Sequence, residues 1–337
     1  MKDHEIDEAI KSYVRTHLSP TQDEIDYVND KYKEIDNFLA GECFWAGSFA
    51  RYTAIRPIHD LDVIWITEDE EIWDDPETYM QQLAKDVAEQ YENFSTVKPK
   101  VEVQTHSITL SFDDIDGGFS IDIVPATPTR RKNDYGDPIF KVPEIIKYDH
   151  SRRASYYSKR STEEVKWIYT DPLGYIAHSV QLDKDTDGNY RKTAKFIKAW
   201  RHALKVTYGD EMKLKAFHLE QICVQEFVKN PNMTVYEAVR WCFSQMANYI
   251  RNAPLIEDAA YKAMGETKYI DNYLKDDKIT QTRKALIVTA IMEANALLPK
   301  FLWADPSDVI EELLTTTPKP ARPASTTLST PPAPWAY

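Results

Sequence analysis

The pattern of apolar and polar positions changes character once along the chain. Up to Pro143, helical and strand-like segments are mixed. Ile25, Val28, Tyr32, Ile35 and Leu39 recur at helical spacing. Ser19-Pro20-Thr21-Gln22, just before them, reads as a capping box with Ser19 as N-cap and Pro20 at the first helical position. Gly41 marks the end of that helix. Residues 43–46, 61–67, 97–103, 108–112 and 119–124 are short runs rich in β-branched and aromatic side chains, which predicts strands. Residues 76–91 predict a further helix. Asp116-Gly117-Gly118 is a hairpin signal between the last two strands. The first part is therefore α+β, a mixed sheet with helices packed on it.

From Asp171 to Leu314 helical periodicity dominates, as in YRKTAKFIKAWRHALK and VYEAVRWCFSQMANYI. The pattern divides the chain into a first domain over 1–165 that includes the N-terminal helices, a helical domain over 166–314, and a Pro-rich tail over 315–337. Residues 127–166, rich in Arg, Lys, Tyr and Pro, are expected to line the junction. The tail cannot bury a core and is expected to be extended or disordered.

Composition narrows the function classes. The chain has 337 residues and a formal net charge of −13, which disfavours stable nucleic-acid binding. No apolar run approaches the roughly 20 residues of a membrane helix, and the acidic N-terminus does not read as a signal peptide. Three scattered cysteines fit a reducing, cytoplasmic setting better than a disulfide framework or a zinc site.

The candidate chemistry lies in GSFARYTAIRPIHDLDV. Asp60 and Asp62 are two apart at the start of an apolar strand, so they project to one face. Asp122 sits between Ile121 and Ile123 on a later strand, where an unpaired charge is costly. Three carboxylates converging at ~5 Å would repel by about 3 kcal/mol per pair at an effective dielectric near 20. A divalent cation relieves that repulsion, and hard oxygen donors suit Mg²⁺. Two such ions about 3.5–4 Å apart serve nucleotidyl transfer, activating the attacking hydroxyl and stabilising the leaving pyrophosphate. Gly47-Ser48 upstream reads as a turn that lets backbone and hydroxyl approach a phosphate. Each part alone is commonplace; the order in which they occur is not.

Gly47-Ser48, Asp60-Leu61-Asp62 and Asp122 together resemble the signature of the DNA polymerase β-like nucleotidyltransferases. The longer motif resembles the bacterial cGAS/DncV-like members, cyclic oligonucleotide synthases of anti-phage (CBASS) signalling. The resemblance implies a polymerase β-like catalytic domain followed by an oligoadenylate-synthetase-like helical domain. It places two Mg²⁺ ions, or Mn²⁺, on Asp60, Asp62 and Asp122, and assigns to Asp122 a part in activating the acceptor hydroxyl. The donor triphosphate falls to Gly47 and Ser48, with Lys198 or, second, Lys195 reaching it from the helical domain. Ala216 stands where the family often has a triphosphate-binding serine.

His59 and His218 are expected to have no catalytic role, and Arg51 and Thr53 to fix the loop. The substrates implied are nucleoside triphosphates including ATP, the product a cyclic di- or trinucleotide acting on a downstream effector. Conjugation of the C-terminus to a partner is a separate expectation. The competing reading keeps the fold and changes the acceptor, giving a toxin-type enzyme that modifies tRNA or protein.

Overall fold

The computed structural model describes residues 2–39, 41–67, 71–91, 97–113, 118–145, 167–275 and 278–315. Three sequence readings fall outside them: Asp116-Gly117 of the hairpin turn, residues 146–166 of the junction segment, and all but Thr315 of the Pro-rich tail, with its conjugation.

The strands are β1 (Glu42–Trp45), β2 (Asp60–Ile66), β3 (Lys100–Val103), β4 (Ile108–Phe112), β5 (Phe119–Lys132), β6 (Pro138–Pro143) and β7 (Trp167–Thr170). They form one sheet ordered β1-β2-β5-β4-β3, with β6 on the far half of β5 and β7 on β6. β2 and β5 are parallel and the other pairs antiparallel, so the sheet is mixed. Along β2, β5 and β4 every second residue is sealed from water: Leu61, Val63, Ile121, Ile123, Ile108 and Leu110. These pack on one side of the sheet against α2 (Gln22–Phe38) and α5 (Pro76–Tyr91) through Val28, Ile35, Met80, Val87 and Tyr91. The period of two leaves the alternate residues on the other face.

Of the remaining helices, α1 (Lys2–Tyr13), α3 (Gly47–Ala50) and α4 (Glu71–Asp74) precede the last strands. After them come α6 (Pro172–Asp185), α7 (Asn189–Tyr208), α8 (Ala216–Lys229), α9 (Val235–Asn252), α10 (Ala259–Met264), α11 (Lys278–Leu297) and α12 (Pro306–Thr315). Trp200 of α7, Phe227 of α8, Phe243 of α9 and Ile291 of α11 sit in one helical core.

The structure corrects the sequence reading at five places. The cap of α2 is Thr21, not Ser19: Glu24 N donates to Thr21 Oγ1 at 3.2 Å and Thr21 N donates to Glu24 Oε2 at 2.7 Å. Ser19 is already committed, because its N–H closes the preceding π-helical turn on Val14 O at 2.8 Å. Second, α1 belongs to the helical core and not to the sheet. Its Ile6 and Ile10, with Val14 and Leu18 beyond it, join that core, and Asp7 accepts from Tyr236 N at 2.9 Å at the start of α9.

Third, β5 runs on to Lys132, and β6, which lacks a period-two signal, pairs with its second half. Fourth, Trp167–Thr170 extends the sheet, so the helical region begins at α6, where Asp171 caps the first turn by accepting from Gly174 N at 2.9 Å. Fifth, Ile279–Leu302 is a 24-residue helical stretch whose most apolar 18 residues have a mean hydropathy of 1.5, long and apolar enough by composition to span a membrane. Ile287, Ile291, Leu298 and Phe301 of that stretch lie in the helical core, which accounts for its apolarity.

Candidate active site

Strand register assembles the carboxylates. On the face of β2 opposite Leu61 and Val63, Asp60 and Asp62 project together. The parallel pairing sets Asp62 beside Asp122, and Asp60 beside Ser120. On the next strand Thr109 lies beside Asp122, and its hydroxyl donates to Asp122 Oδ1. Burial, followed by the charges of Asp60 and Asp122, pushes the Asp62 carboxyl up to about 6. Burial also raises Asp122, opposed by its hydrogen bonds from Thr109 and Ser107. Among the described residues no three His, Cys, Asp or Glu side chains are closed into a ready-made metal cage. The donor set nevertheless fits Mg²⁺: it is all oxygen, and its members raise one another's cost of ionisation, which a cation offsets.

The Gly47-Ser48 turn is held against this row. Ala46 N donates to Asp62 O at 2.8 Å, and Gly47 opens α3 with φ +61°. A Cβ at Gly47 would lie 1.6 Å from Asp62 Oδ2, so only glycine fits between turn and carboxylate. Ser48 O accepts from Thr53 N at 2.9 Å and from Ala54 N at 3.1 Å, which folds the following loop back on the turn.

The facing wall comes from the helical region. Arg51 Nε donates to Glu220 Oε2 at 2.9 Å, and Lys198 Nζ donates to Glu220 Oε1 and to Thr53 O, both at 2.8 Å. Ser179 Oγ and Arg191 Nε each donate to Arg51 O at 3.0 Å. Glu220 is 1% exposed. Burial alone would raise its carboxyl; Lys198 and Arg51 overcome that and hold it at about 2. The loop after the Gly47-Ser48 turn is thereby clasped to α7 and α8, in keeping with the loop-fixing role expected of Arg51 and Thr53.

Between the walls is a cleft of about 710 Å³. Gly47, Ser48, Asp60 and Asp62 line one side, and Lys198, Arg201 and Lys205 of α7 line the other. Asp122 stands one strand behind Asp62 and is not a lining residue. Lys195 is not brought to the cleft: its ammonium donates to Ser19 Oγ at 3.0 Å, and burial followed by the charge of Lys198 lowers it to about 8. Arg201 and Lys205 were the missed residues. The signal was present, since 198, 201 and 205 are spaced to share one face of a helix. His59 and His202 stack at the cleft wall with ring centroids 6.1 Å apart. His218 is buried, with Nδ1 2.9 Å from Tyr273 OH, as a packed helix residue would be.

A carboxylate-bearing mixed sheet faces a basic helix across a cleft, a fold the chain shares with solved bacterial cyclic nucleotide synthases of the CdnC and DncV type. Residues 5–145 match the model of the Second Messenger Oligonucleotide or Dinucleotide Synthetase domain. Solved structures share the fold over 79% to 93% of the chain. Escherichia coli MS115-1 CdnC, in its complex with HORMA-deltaN, superposes with a TM-score of 0.66 at 16% identity over 92% of this chain and 96% of its own. Vibrio cholerae DncV, a cyclic AMP-GMP synthase, gives 0.55 at 15% identity over 93% and 85%. Elizabethkingia meningoseptica CdnE, a cyclic dinucleotide synthase solved with GTP and Apcpp, gives 0.52 at 12% identity over 79% and 91%. No curated protein sequence matches the chain.

Proposed function

We propose that the cleft joins nucleoside triphosphates, ATP among them, into a cyclic di- or trinucleotide and releases pyrophosphate. The observation that carries this reading is the register pair Asp62–Asp122, with Asp60 on the same face, set opposite the Lys198–Arg201–Lys205 face of α7. Gly47 and Ser48 receive the donor triphosphate, and Arg201 and Lys205 offset its charge. Lys198 serves mainly to brace Glu220 and the loop carbonyl of Thr53. The hydroxyl oxygen of the acceptor nucleotide attacks the donor α-phosphorus, the α–β P–O bond breaks, and pyrophosphate leaves. A repeat of the step on the new triphosphate closes the ring.

Asp60 and Asp62, with Asp122 behind them, are the residues that would hold Mg²⁺ or Mn²⁺. When bound, such ions lower the pKa of the acceptor hydroxyl and stabilise the departing oxygen. Asp122, fixed by Thr109, orients the acceptor hydroxyl. In this reading the product is a second messenger that acts on a separate effector in anti-phage signalling.

The test is product analysis after incubating the purified chain with labelled nucleoside triphosphates and Mg²⁺ or Mn²⁺. The expected product resists phosphatase, carries no terminal phosphate in its mass, and is accompanied by one pyrophosphate per linkage. Label appearing in tRNA or protein, with no small product, would replace this reading by the toxin-type one.

A further inference from the structure

A second cavity, of about 670 Å³, shares no lining residue with the catalytic cleft. Its size lies within the range of small-molecule sites. Its walls come from the β5–β6 turn, α6, α8 and the segment through α10. α8 faces both spaces: Phe217 and Glu220 line the cleft, and Gln221 and Gln225 line the second cavity.

The lining chemistry narrows the ligand. Gln221 and Gln225 are one helical turn apart, and neither carboxamide is hydrogen-bonded to another described residue, so two donor–acceptor pairs face the cavity. Carboxamides of this kind match the donor–acceptor edge of a nucleobase. The rings of Tyr135 and His178, with centroids 6.5 Å apart and planes tilted by 57°, offer two separate aromatic faces beside them, each able to stack on a planar ring. Three carboxylates, Asp134, Asp171 and Glu257, outnumber the two ammonium groups of Lys132 and Lys262, which disfavours a polyphosphate.

Three wall residues are each one step from the clasp of the phosphate turn. Gln221 follows Glu220, which holds Arg51 and Lys198. His178 precedes Ser179, whose hydroxyl donates to Arg51 O. Tyr175 packs edge-on to Phe217 at 4.9 Å, and Phe217 lies under the Arg51 guanidinium at 5.1 Å. We propose that this cavity is a regulatory site for a neutral nucleoside or similar planar heterocycle, whose occupancy sets the position of Arg51 and so of the phosphate turn. The binding claim is independent of the activity proposed above; the coupling claim rests on it.

Calorimetric titration of the full chain with adenosine, guanosine, cytidine and uridine tests the site, since none of them can donate a nucleotidyl group. At least one is expected to bind in a one-to-one ratio, both alone and with the cleft saturated by a non-hydrolysable ATP analogue. Gln221→Leu/Gln225→Leu, and separately Ala263→Trp, are expected to weaken that binding at least ten-fold while leaving the melting temperature and the analogue affinity of the nucleoside-free protein unchanged. The nucleoside and the analogue are expected to shift each other's affinity by the same factor, about five-fold or more. Failure of all four nucleosides to bind, displacement by the analogue, or binding that survives both variants would overturn the site. Binding without reciprocal coupling would overturn its regulatory role. An analogue that does not bind at all counts against the proposed activity and leaves the nucleoside titration readable.

Discussion

Asp62 concentrates the physics of the site in one side chain. Its carboxyl is raised from 3.8 to about 6 by burial and then by Asp60 and Asp122, so in the metal-free protein its ionised form opposes folding. The cost is fully present above pH ~6 and absent below the ordinary carboxylate pKa, because there both folded and unfolded chains are protonated. Metal-free Asp62→Asn is therefore expected to be more stable than the unmodified chain at pH 8, by at most about 3 kcal/mol. The two should melt together near pH 3.5. Thermal melts at the two pH values check this, and a variant that is no more stable at pH 8 would contradict the charge crowding.

Gly47 gives a second expectation at this scale. The 1.6 Å approach of a Cβ to Asp62 Oδ2 means that Gly47→Ala must push turn and carboxylate apart. A displacement on the order of 1 Å at reacting groups costs about 100-fold in rate. Pyrophosphate release by Gly47→Ala should fall by that much or more, and near-normal turnover would show that the turn does not set the donor phosphates.

At the scale of elements, the clasp formed by the α3 loop, α7 and α8 is held through one buried carboxylate. Removing one partner of a buried ion pair costs about 3–5 kcal/mol because the other charge is left behind. Glu220→Ala strands both Arg51 and Lys198, so a loss in that range is expected, together with loss of activity. The pH sign is opposite to that of Asp62. Glu220 is held at about 2 against its ordinary 4.5, so its contribution is complete above pH ~4.5 and disappears as the pH falls from there toward 2. Melts of Glu220→Gln and the unmodified chain should separate at neutral pH and converge in acid.

The elements that the sequence disclosed are those with an unbroken period. β4 and α5 fall at their expected bounds, and the period of two in β2 and β5 is enough to put the aspartates on one face. β6 escaped because Pro-Ile-Phe-Lys-Val-Pro carries no such alternation; both of its ends are proline. The α2 cap was misplaced because Ser19 and Thr21 both open plausible boxes, and only the tertiary path shows that the Ser19 N–H is already used. Lys195 was the second candidate for the lysine that the resemblance places on α7, but helical rotation carries it to Ser19 and leaves Arg201 and Lys205 in the cleft.

At the scale of the whole molecule, the two ends of the described chain meet in the helical core. Ile6 and Ile10 of α1 join Val309 and Leu313 of α12 there, a contact more than 290 residues apart that no local pattern could reveal. Truncating residues 1–18 should therefore destabilise the helical region rather than the sheet. Hydrogen exchange is expected to speed up in α7, α9 and α12 while β2, β4 and β5 stay protected. Loss of protection confined to the sheet would contradict this placement.

The cleft exists because the carboxylate sheet and the basic face of α7 are clasped together, and the central claim is that this cleft transfers nucleotidyl groups. The most direct measurement is pyrophosphate release from a mixture of nucleoside triphosphates with Mg²⁺, comparing the unmodified chain with Asp60→Asn/Asp62→Asn. The account predicts steady release by the unmodified chain and none above background by the double variant, although the variant remains folded. Equal release by both proteins would contradict it.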